Sequence, residues 1–275
     1  MDTLKNKVAI VSGSGRGIGR AIAIKFAGCG ARVIVNDLDE AVAQEVVEQI
    51  REMGHEAIAC VGDVTQADFP ERFVKAALDN WETLDIIVNN AGYTWDNVIQ
   101  KMTDEQWDAI ISVHLTAPFR ILRAASKFLR DAAKREAAAG TEIFRKVVNV
   151  SSISGVCGNA GQANYAAAKA GIVGLTKALS KEWGRYKVNV NAVAFGFIDT
   201  RLTKSWSDSE GTVSVGERTI KVGVNSVLHA ALTQMIPISR LGTPDEAAGA
   251  VYLLCLPESN YISGQTIMCS GGFMM

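Results

Sequence analysis

The sequence predicts an α/β fold, a single-domain doubly wound parallel sheet of about seven strands with helices on both faces. Short runs of β-branched residues alternate with longer stretches at helical spacing along most of the chain. The strand runs show little polar alternation, which is typical of strands buried on both faces and therefore of a parallel sheet. No internal repeat or linker interrupts this pattern, so we predict one domain over residues 1–275.

The first βαβ unit is the most clearly marked part of the chain. A strand is predicted at 7–11, followed by a glycine-rich turn and a helix over 18–27. A second strand at 31–36 leads into an amphipathic helix over 41–53. The remaining strands are predicted, with helices between them, at 56–61, 84–88, 146–150, 188–193 and 266–269.

Two stretches depart from this alternation. Residues 131–140 are charged and alanine-rich, and we expect them to lengthen a surface helix. Residues 202–235 are too long for an ordinary connection, and we interpret them as a lid over a substrate pocket. The alternative is a helical insertion that packs against the core or against another subunit.

Composition excludes several classes of protein. Hydrophobic residues make up 48% and charged residues 21%, which is typical of a folded domain rather than a disordered chain. The net charge of -1 provides no basic field for nucleic acid or a membrane surface. No apolar stretch has the length of a signal-peptide core or a membrane span, so we expect a cytoplasmic protein.

Cysteine and histidine spacing gives no metal-binding pattern. The five cysteines form no CxxC pair and are odd in number, so we expect buried free thiols. The three histidines are scattered and match no metal-ligand motif, and we predict no metal site.

A glycine-rich turn joins the first predicted strand to the first helix. It contains Gly13, Ser14, Gly15, Arg16, Gly17, Ile18 and Gly19. Glycines at such a joint let the backbone approach a pyrophosphate, and the helix N-terminus offers free N–H groups and a positive dipole end. Asp37 follows at the end of the second strand, where a carboxylate accepts hydrogen bonds from ribose hydroxyls. Together these residues predict a dinucleotide site in a Rossmann fold.

Two residues of this region influence the choice of cofactor in opposite directions. The Asp37 carboxylate would repel a 2′-phosphate, whereas the Arg16 guanidinium could pair with one. Because Asp37 lies directly at the strand end, we predict NAD as the cofactor, with NADP as the alternative.

A second group of residues suits proton transfer. Tyr165 and Lys169 are four residues apart on a predicted helix, so both side chains share one face. Ser152 lies at the end of a strand, where open α/β sheets place groups that contact ligands. We expect the Lys169 charge to lower the pKa of Tyr165 and bring the phenol into a useful acid–base range. Ser152 would then hydrogen-bond a substrate carbonyl or alcohol.

In combination, these motifs resemble those of the short-chain dehydrogenase/reductase family over nearly the whole chain. The similarity also includes Asp63-Val64, the run Asn89-Asn90-Ala91-Gly92 and residues 158–165. It is greatest for 3-oxoacyl-(acyl carrier protein) reductases and their 3-hydroxyacyl-CoA dehydrogenase relatives. The resemblance implies that Tyr165 is the general acid–base and that Lys169 holds the nicotinamide ribose.

The resemblance also implies further cofactor contacts and an assembly. Asp63 and Val64 would contact the adenine, Asn90, Ala91 and Gly92 would line the cofactor cleft, and Ile198 and Thr200 would contact the carboxamide. A homotetramer is implied, with the helices after the fourth and fifth strands at one interface.

Three positions differ from the family pattern. His114 stands where the family usually has a catalytic asparagine, and we keep it as a catalytic candidate beside the simpler interpretation of a packed helix histidine. A titrating imidazole there would alter the acid limb of the pH–rate profile. Phe195 replaces a proline before the nicotinamide contacts, and Ser270 replaces an aspartate before two glycines.

One basic pattern lies outside the family motifs. Basic residues recur at steps of three and four along one predicted helix, at Arg120, Arg123, Lys127, Arg130 and Lys134. We call these five residues the basic strip. It is either a solvated face paired with nearby acids or a docking surface for acyl carrier protein or a coenzyme A phosphate.

The sequence thus predicts an NAD(P)(H)-dependent oxidoreductase that interconverts a secondary alcohol and a ketone. We expect a 3-oxoacyl or 3-hydroxyacyl thioester as the substrate. One alternative keeps the chemistry and takes a cyclic alcohol, steroid or sugar. The other is a non-catalytic nucleotide-binding scaffold, which has no need of Ser152, Tyr165 and Lys169 together.

Overall fold

The computed structural model describes residues 2–201, 203, 205–206, 211–215, 218–222 and 224–273. Its strands are β1 (Val8–Val11), β2 (Arg32–Val35), β3 (Ala57–Ala59), β4 (Ile86–Asn89), β5 (Arg145–Ser152), β6 (Val188–Phe195), β7 (Ser205–Trp206), β8 (Gly211–Val215), β9 (Arg218–Val222), β10 (Val224–Asn225) and β11 (Thr266–Cys269). Its α-helices are α1 (Gly17–Gly28), α2 (Glu40–Glu52), α3 (Phe69–Trp81), α4 (Asp104–Ile111), α5 (Ala117–Ala138), α6 (Ile153–Cys157), α7 (Ala163–Trp183), α8 (Ser226–Met235) and α9 (Pro244–Leu253).

Seven of the strands form one parallel sheet in the order β11-β6-β5-β4-β1-β2-β3. The predicted fold class is therefore confirmed, and each predicted sheet strand is found within a few residues of its predicted ends. The strand order reverses between β1 and β4, and such a switch point leaves a crevice beyond the carboxyl ends of the strands. The sheet thus provides a ligand crevice beside the glycine-rich turn.

The two faces of the sheet are covered by different helices. All four residues of β1 are buried, and they alternate between two hydrophobic clusters. Ala9 and Val11 pack with residues of α1, α2 and α9 such as Phe26. Val8 and Ile10 pack with residues of α3, α5 and α7. Burial on both faces explains why the strand runs are apolar throughout rather than alternating.

The predictions for residues 131–140 and 202–235, the two stretches outside the strand–helix alternation, compare differently with the structure. Residues 131–140 do lengthen a helix, since α5 runs over 22 residues. Within 202–235 the structure describes the antiparallel pair β8–β9, the short pair β7–β10 and α8. Residues 202, 204, 207–210, 216–217 and 223 lie outside the described residues, and a lid over the substrate stays a prediction. The β8–β9 pair was not predicted, although valine alternates with polar residues at 212–215.

Candidate active site

The glycine-rich turn lies between β1 and α1 and is packed too closely for larger residues. A Cβ on Gly19 would lie 2.1 Å from the Gly13 carbonyl oxygen, and one on Gly13 would lie 2.7 Å from Ala91 Cα. Gly13 and Gly17 both have positive φ angles, of 62° and 53°. No side chain among the described residues caps the N-terminus of α1 at Arg16. The first-turn N–H groups therefore remain available to an anionic ligand.

Asparagine side chains hold this turn in place. Asn90 donates to the carbonyl oxygens of Ser12 and Gly13, each at 3.0 Å. Asn36 accepts from the Gly13 amide at 3.0 Å and donates to two carbonyls after β3. Asn36 was not among the predicted site residues, although its position at the end of a strand was the available signal. These bonds fix the backbone that the predicted pyrophosphate site requires.

Asp37 lies beside the turn, as predicted for a ribose-binding residue. A Cβ on Gly15 would lie 2.5 Å from Asp37 Oδ2, so the carboxylate reaches the glycine-rich turn directly. Arg16 forms ion pairs with Asp37 at 3.8 Å and with Asp39 at 3.1 Å. Two carboxylates therefore share the guanidinium that the sequence offered as a partner for a 2′-phosphate.

The other predicted cofactor residues surround the same crevice. The Asp63 carboxylate accepts from the amide and hydroxyl of Thr65, both at 2.8 Å, and Val64 beside it is buried. Ile198 is buried, and the methyl of Thr200 lies 3.8 Å from the position of a Cβ on Gly17. The segment after β6 therefore comes close to the glycine-rich turn, although the two are far apart in sequence. A dinucleotide fits the residues that the fold brings together here.

Ser152, Tyr165 and Lys169 are assembled at the carboxyl end of β5. Ser152 ends β5, and its hydroxyl accepts from the Ser154 amide at 3.2 Å. The Ser152 hydroxyl lies close enough to the Tyr165 phenol to influence its pKa. The Lys169 ammonium donates to the Val150 carbonyl at 2.6 Å and lies 5.6 Å from the centre of the Tyr165 ring. The structure thus brings together the three residues that were separated by up to 17 positions in the sequence.

Close packing fixes the helix that carries two of these residues. A Cβ on Gly155 would lie 2.6 Å from the Lys169 backbone carbonyl carbon, so α6 and α7 meet at a glycine. The Ser151 hydroxyl donates to the Lys169 carbonyl at 2.9 Å. Asn164 is fully buried, donates to the carbonyls of Trp95 in the loop after β4 and Gln106 in α4, and accepts from the Tyr165 amide at 2.8 Å. Asn164 was also missed as a site residue, and it positions the start of α7 against the loop after β4.

The predicted effect of Lys169 on Tyr165 is wrong. Burial and the negative charge of Asp96 together raise the pKa of Tyr165 to about 12, against the lowering effect of the nearby Ser152 hydroxyl. Burial also lowers the pKa of Lys169 to about 7. Near neutral pH the lysine is therefore only partly charged, and its ammonium bonds to Val150. For this reason it does not lower the pKa of the phenol.

His114 lies within a π-helical turn, Ser112–Thr116, between α4 and α5. Its Nε2 is 2.7 Å from the Tyr93 carbonyl oxygen, so this nitrogen carries the proton and donates it. Its ring meets the Tyr165 ring edge-to-face, with centres 5.0 Å apart. A Cβ on Gly92 would lie 2.0 Å from His114 Cε1, so only glycine fits opposite the imidazole. His114 is thus in direct contact with the predicted acid–base residue.

His114 does not titrate near neutral pH, contrary to the sequence-based expectation. Burial lowers the pKa of His114 well below its usual 6.5, and the Lys169 charge lowers it further, against the hydrogen bond to Tyr93. The imidazole is therefore neutral, with Nε2 protonated. An asparagine amide could make the same hydrogen bond to the Tyr93 carbonyl, which explains how a histidine is accommodated here.

The other two departures from the family pattern are packing features. Phe195 is buried in the hydrophobic core beside Ser152 of the neighbouring strand. A Cβ on Gly196 would lie 2.8 Å from Ser270 Cα, so the end of β6 touches the turn after β11. Both differences leave the arrangement of Ser152, Tyr165 and Lys169 intact.

The basic strip follows the exposed side of α5. Arg123, Lys127, Arg130 and Lys134 are exposed, and Arg130 pairs with Asp131 at 3.1 Å. Arg120 differs, because it donates to the Thr65 carbonyl at 3.0 Å, next to the predicted adenine contacts. Arg123 lies over the ring of Phe119, which is itself 44% exposed. The strip is therefore not neutralised by a row of acids along its own helix.

The cysteines and the remaining site classes give simpler results. All five cysteines are free thiols, but only Cys60 and Cys255 are buried, so the prediction of buried thiols is wrong for Cys157 at the exposed end of α6. In the described part of the chain, no three histidine, cysteine or acidic side chains are grouped as metal ligands. The helices described there are each too short or too polar to cross a bilayer.

Comparison with known proteins agrees with this geometry. The family model for short chain dehydrogenases matches residues 7–211. The 3-oxoacyl-[acyl-carrier-protein] reductase of Synechocystis sp. is 37% identical over 277 residues, covering all of both chains. The FabG reductase of Vibrio cholerae is 39% identical over 99% of both chains, and that of Staphylococcus aureus is 36% identical over 98%. The chain therefore belongs to the short-chain dehydrogenase family of NAD(P)-dependent oxidoreductases that act on CH–OH groups.

Proposed function

We propose that this protein is a 3-oxoacyl thioester reductase that acts on acyl groups carried by acyl carrier protein and uses NADH. The observation that carries the proposal is the assembly of Ser152, Tyr165 and Lys169 beside the glycine-rich turn. Support for the substrate comes from full-length similarity to enzymes named 3-oxoacyl-[acyl-carrier-protein] reductase. The predicted homotetramer and the lid over 202–235 remain part of this proposal.

The chain's own residues account for how the cofactor would be held. The α1 N-terminus and the glycine-rich turn would take the pyrophosphate, and Asp37 would take the adenosine ribose. Lys169 has donors left beside its bond to Val150 and would hold the second ribose. When bound, the nicotinamide supplies or accepts a hydride at the substrate carbon.

The protein's contribution to the chemistry is to orient the carbonyl and to supply a proton. The Ser152 hydroxyl lies near the Tyr165 phenol, so both can address one substrate oxygen. With its pKa raised to about 12, Tyr165 is fully protonated at neutral pH. That is the state needed to protonate the alkoxide formed when a ketone is reduced, because an alkoxide is a stronger base than a phenolate.

The proposal is tested by following NADH absorbance with the purified protein. The substrates are 3-oxobutanoyl-acyl carrier protein, the matching N-acetylcysteamine thioester, a cyclic ketone, a 3-keto steroid and a keto sugar. We expect the two thioesters to have the highest kcat/KM. Preference for a cyclic, steroid or sugar substrate would overturn the proposed substrate class. Binding of NADH without turnover of any substrate would favour the scaffold instead.

The proposed preference for NADH rests on the Asp37 carboxylate beside the glycine-rich turn. Replacing it in Asp37→Ser should relieve repulsion of the 2′-phosphate and leave Arg16 free of one of its carboxylate partners. We expect the ratio of kcat/KM for NADPH to that for NADH to rise by about tenfold or more. The control Asp79→Asn, on the exposed face of α3, should leave the ratio unchanged. A wild-type enzyme that already prefers NADPH would contradict the assignment.

The proposed carrier partner has an acidic surface, and the basic strip is the candidate docking surface for it. Charge reversal in Arg123→Glu with Lys127→Glu should raise KM for the carrier-bound substrate more than for the N-acetylcysteamine thioester. The difference should shrink with added salt, because charges on exposed side chains are screened over about 10 Å at 0.1 M. Equal effects on both substrates would assign the strip to a solvated helix face.

A further inference from the structure

One acidic side chain lies against the active site and has no place in the mechanism above. Asp96 follows β4 in the loop that also carries Tyr93, whose carbonyl receives the His114 proton. Asp96 is exposed, yet the surrounding protein removes enough water to raise the pKa of its carboxyl. A carboxylate placed beside a site for carbonyl substrates therefore needs an explanation.

The structure holds Asp96 in place through Gln162. The Gln162 amide donates to Asp96 Oδ2 at 2.8 Å. The amide oxygen of Gln162 accepts from the Ser154 hydroxyl and from Asn159 Nδ2, both at 3.0 Å. Because both donors point at the oxygen, the orientation of the Gln162 amide is settled, and its nitrogen must face Asp96.

The same contacts connect Asp96 to the catalytic residues. Ser154, which bonds to Gln162, also donates its backbone amide to the Ser152 hydroxyl. Asn97 donates its amide to the Gly161 carbonyl at 2.9 Å, so the Asp96 loop is pinned to the segment just before Tyr165. The charge of Asp96 also acts on Tyr165 and raises the pKa of the phenol. Asp96 is therefore tied by hydrogen bonds to the segment that carries Ser152 and Tyr165, and its negative charge acts on the phenol that would meet a substrate carbonyl.

This position matters for one chemical distinction among 3-oxo compounds. In a 3-oxoacyl thioester or ester, the group at C1 is an uncharged carbonyl. In the free 3-oxo acid, the group at C1 is a negatively charged carboxylate. Two like charges a few ångströms apart in a partly desolvated cleft repel strongly. We infer that Asp96 is a specificity-determining residue that admits uncharged 3-oxoacyl esters and thioesters and excludes free 3-oxo acids. The inference rests on the proposed function and deepens it.

The test compares three substrates that share one four-carbon 3-oxo chain. They are the N-acetylcysteamine thioester of 3-oxobutanoate, its methyl ester and the free acid. The methyl ester matches the acid in size but lacks its charge, so the pair isolates charge from fit. For the wild-type enzyme we expect a much higher kcat/KM for the ester than for the acid.

The decisive variant is Asp96→Asn, which can still accept the Gln162 hydrogen bond through its amide oxygen. We expect kcat/KM for the acid to rise by about tenfold while the ester changes by less than about threefold. Asp96→Glu, which keeps the charge, should retain the wild-type ratio of ester to acid. Asp79→Asn removes one negative charge from the exposed face of α3 and should also retain that ratio. An unchanged ratio in Asp96→Asn, or a shift of the same size in Asp79→Asn, would overturn the inference.

A second measurement needs no variant. Added salt should raise kcat/KM of the wild-type enzyme for the acid and leave that for the methyl ester nearly constant, since salt screens only the charged pair. The same salt response for both substrates would overturn the role of Asp96. A wild-type enzyme that reduces neither the thioester nor the methyl ester would instead contradict the proposed function, so the two failures are distinguishable.

Discussion

Two lysine ammonium groups are buried against strand β5, one near each end of the strand, and they differ in their hydrogen-bond partners. Lys146, at the amino end, donates to Asn189 Oδ1 at 2.9 Å and to the Ser259 hydroxyl at 3.1 Å. Lys169, at the carboxyl end, donates to the Val150 carbonyl and lies beside Tyr165. Both are at least 96% buried, and burial lowers the pKa of Lys146 to about 8 and that of Lys169 to about 7.

The difference distinguishes a lysine that joins segments of the fold from one for which we propose a functional role. The side-chain partners of Lys146 come from two other segments of the chain, so its ammonium ties those segments to β5. Lys169 has one described acceptor and a catalytic neighbour, which leaves donors for a ligand. A perturbed lysine pKa alone therefore does not indicate a functional site, whereas a perturbed pKa with unused donors beside a crevice makes the residue a candidate.

The largest expected effect concerns the neighbour that makes Lys169 functional. Tyr165→Phe removes the proton donor and should lower kcat by about 10³-fold, within the range for general acid catalysis. Binding of NADH should be nearly unchanged, because the phenol contributes little to holding the cofactor. Calorimetric titration beside steady-state kinetics measures both quantities. Substantial turnover by the variant would mean that another group supplies the proton.

The two lysines can be compared directly by matched substitutions. Lys169→Met should reduce kcat/KM by about a hundredfold or more, whereas Lys146→Met should leave it within about threefold. Lys146→Met removes the donor to Asn189 and Ser259 and should lower the free energy of unfolding by about 1–3 kcal/mol. Urea denaturation measures the loss of stability and steady-state kinetics measures the loss of kcat/KM, each in both variants. Equal losses of activity in the two variants would remove the distinction between them.

The pH dependence of stability should reveal both lysines. Each has a pKa near 7 or 8 in the folded protein and near 10.5 in the unfolded chain, so the unfolded state binds more protons above pH 7. The free energy of unfolding should therefore rise with pH, by about 1–2 kcal/mol for each lysine between pH 7 and 8.5. Urea titrations at both pH values should show a smaller rise in each Lys→Met variant. A free energy of unfolding that decreases between pH 7 and 8.5 in the wild type would contradict the lowered pKa values of the two buried lysines.

The comparison also shows which parts of the molecule were predictable from sequence. The sheet, the glycine-rich turn and the set Ser152, Tyr165 and Lys169 were predicted, because each depends on local spacing along a strand or helix. Contacts between distant segments were not, and these include the Asn36 bonds and the link from Gln162 to Asp96.

The direction of the Tyr165 pKa shift was predicted wrongly for the same reason. Sequence spacing brings Lys169 close to Tyr165, but the extent of burial and the Val150 acceptor appear only in the folded chain. Local patterns therefore predicted the candidate site residues, whereas tertiary contacts determine their protonation.

The smallest expected effect concerns His114, whose pKa the charge of Lys169 helps to lower. In His114→Asn, the amide can replace Nε2 as donor to the Tyr93 carbonyl, while the ring contact with Tyr165 is lost. We expect activity within about tenfold of wild type. The acid limb of the pH–rate profile should not move, since the imidazole is neutral throughout the working range.

A matched variant and a stability measurement complete this test. His114→Phe keeps a ring against Tyr165 but has no donor for the Tyr93 carbonyl, so we expect a larger loss than in His114→Asn. Below pH 6.5 His114 becomes protonated in the unfolded chain but stays neutral in the folded protein. The free energy of unfolding of the wild type should therefore decrease as the pH is lowered through this range. His114→Asn should weaken that fall. A gain of several hundredfold in activity, or a displaced acid limb, would instead show that the histidine impairs or titrates in the natural enzyme.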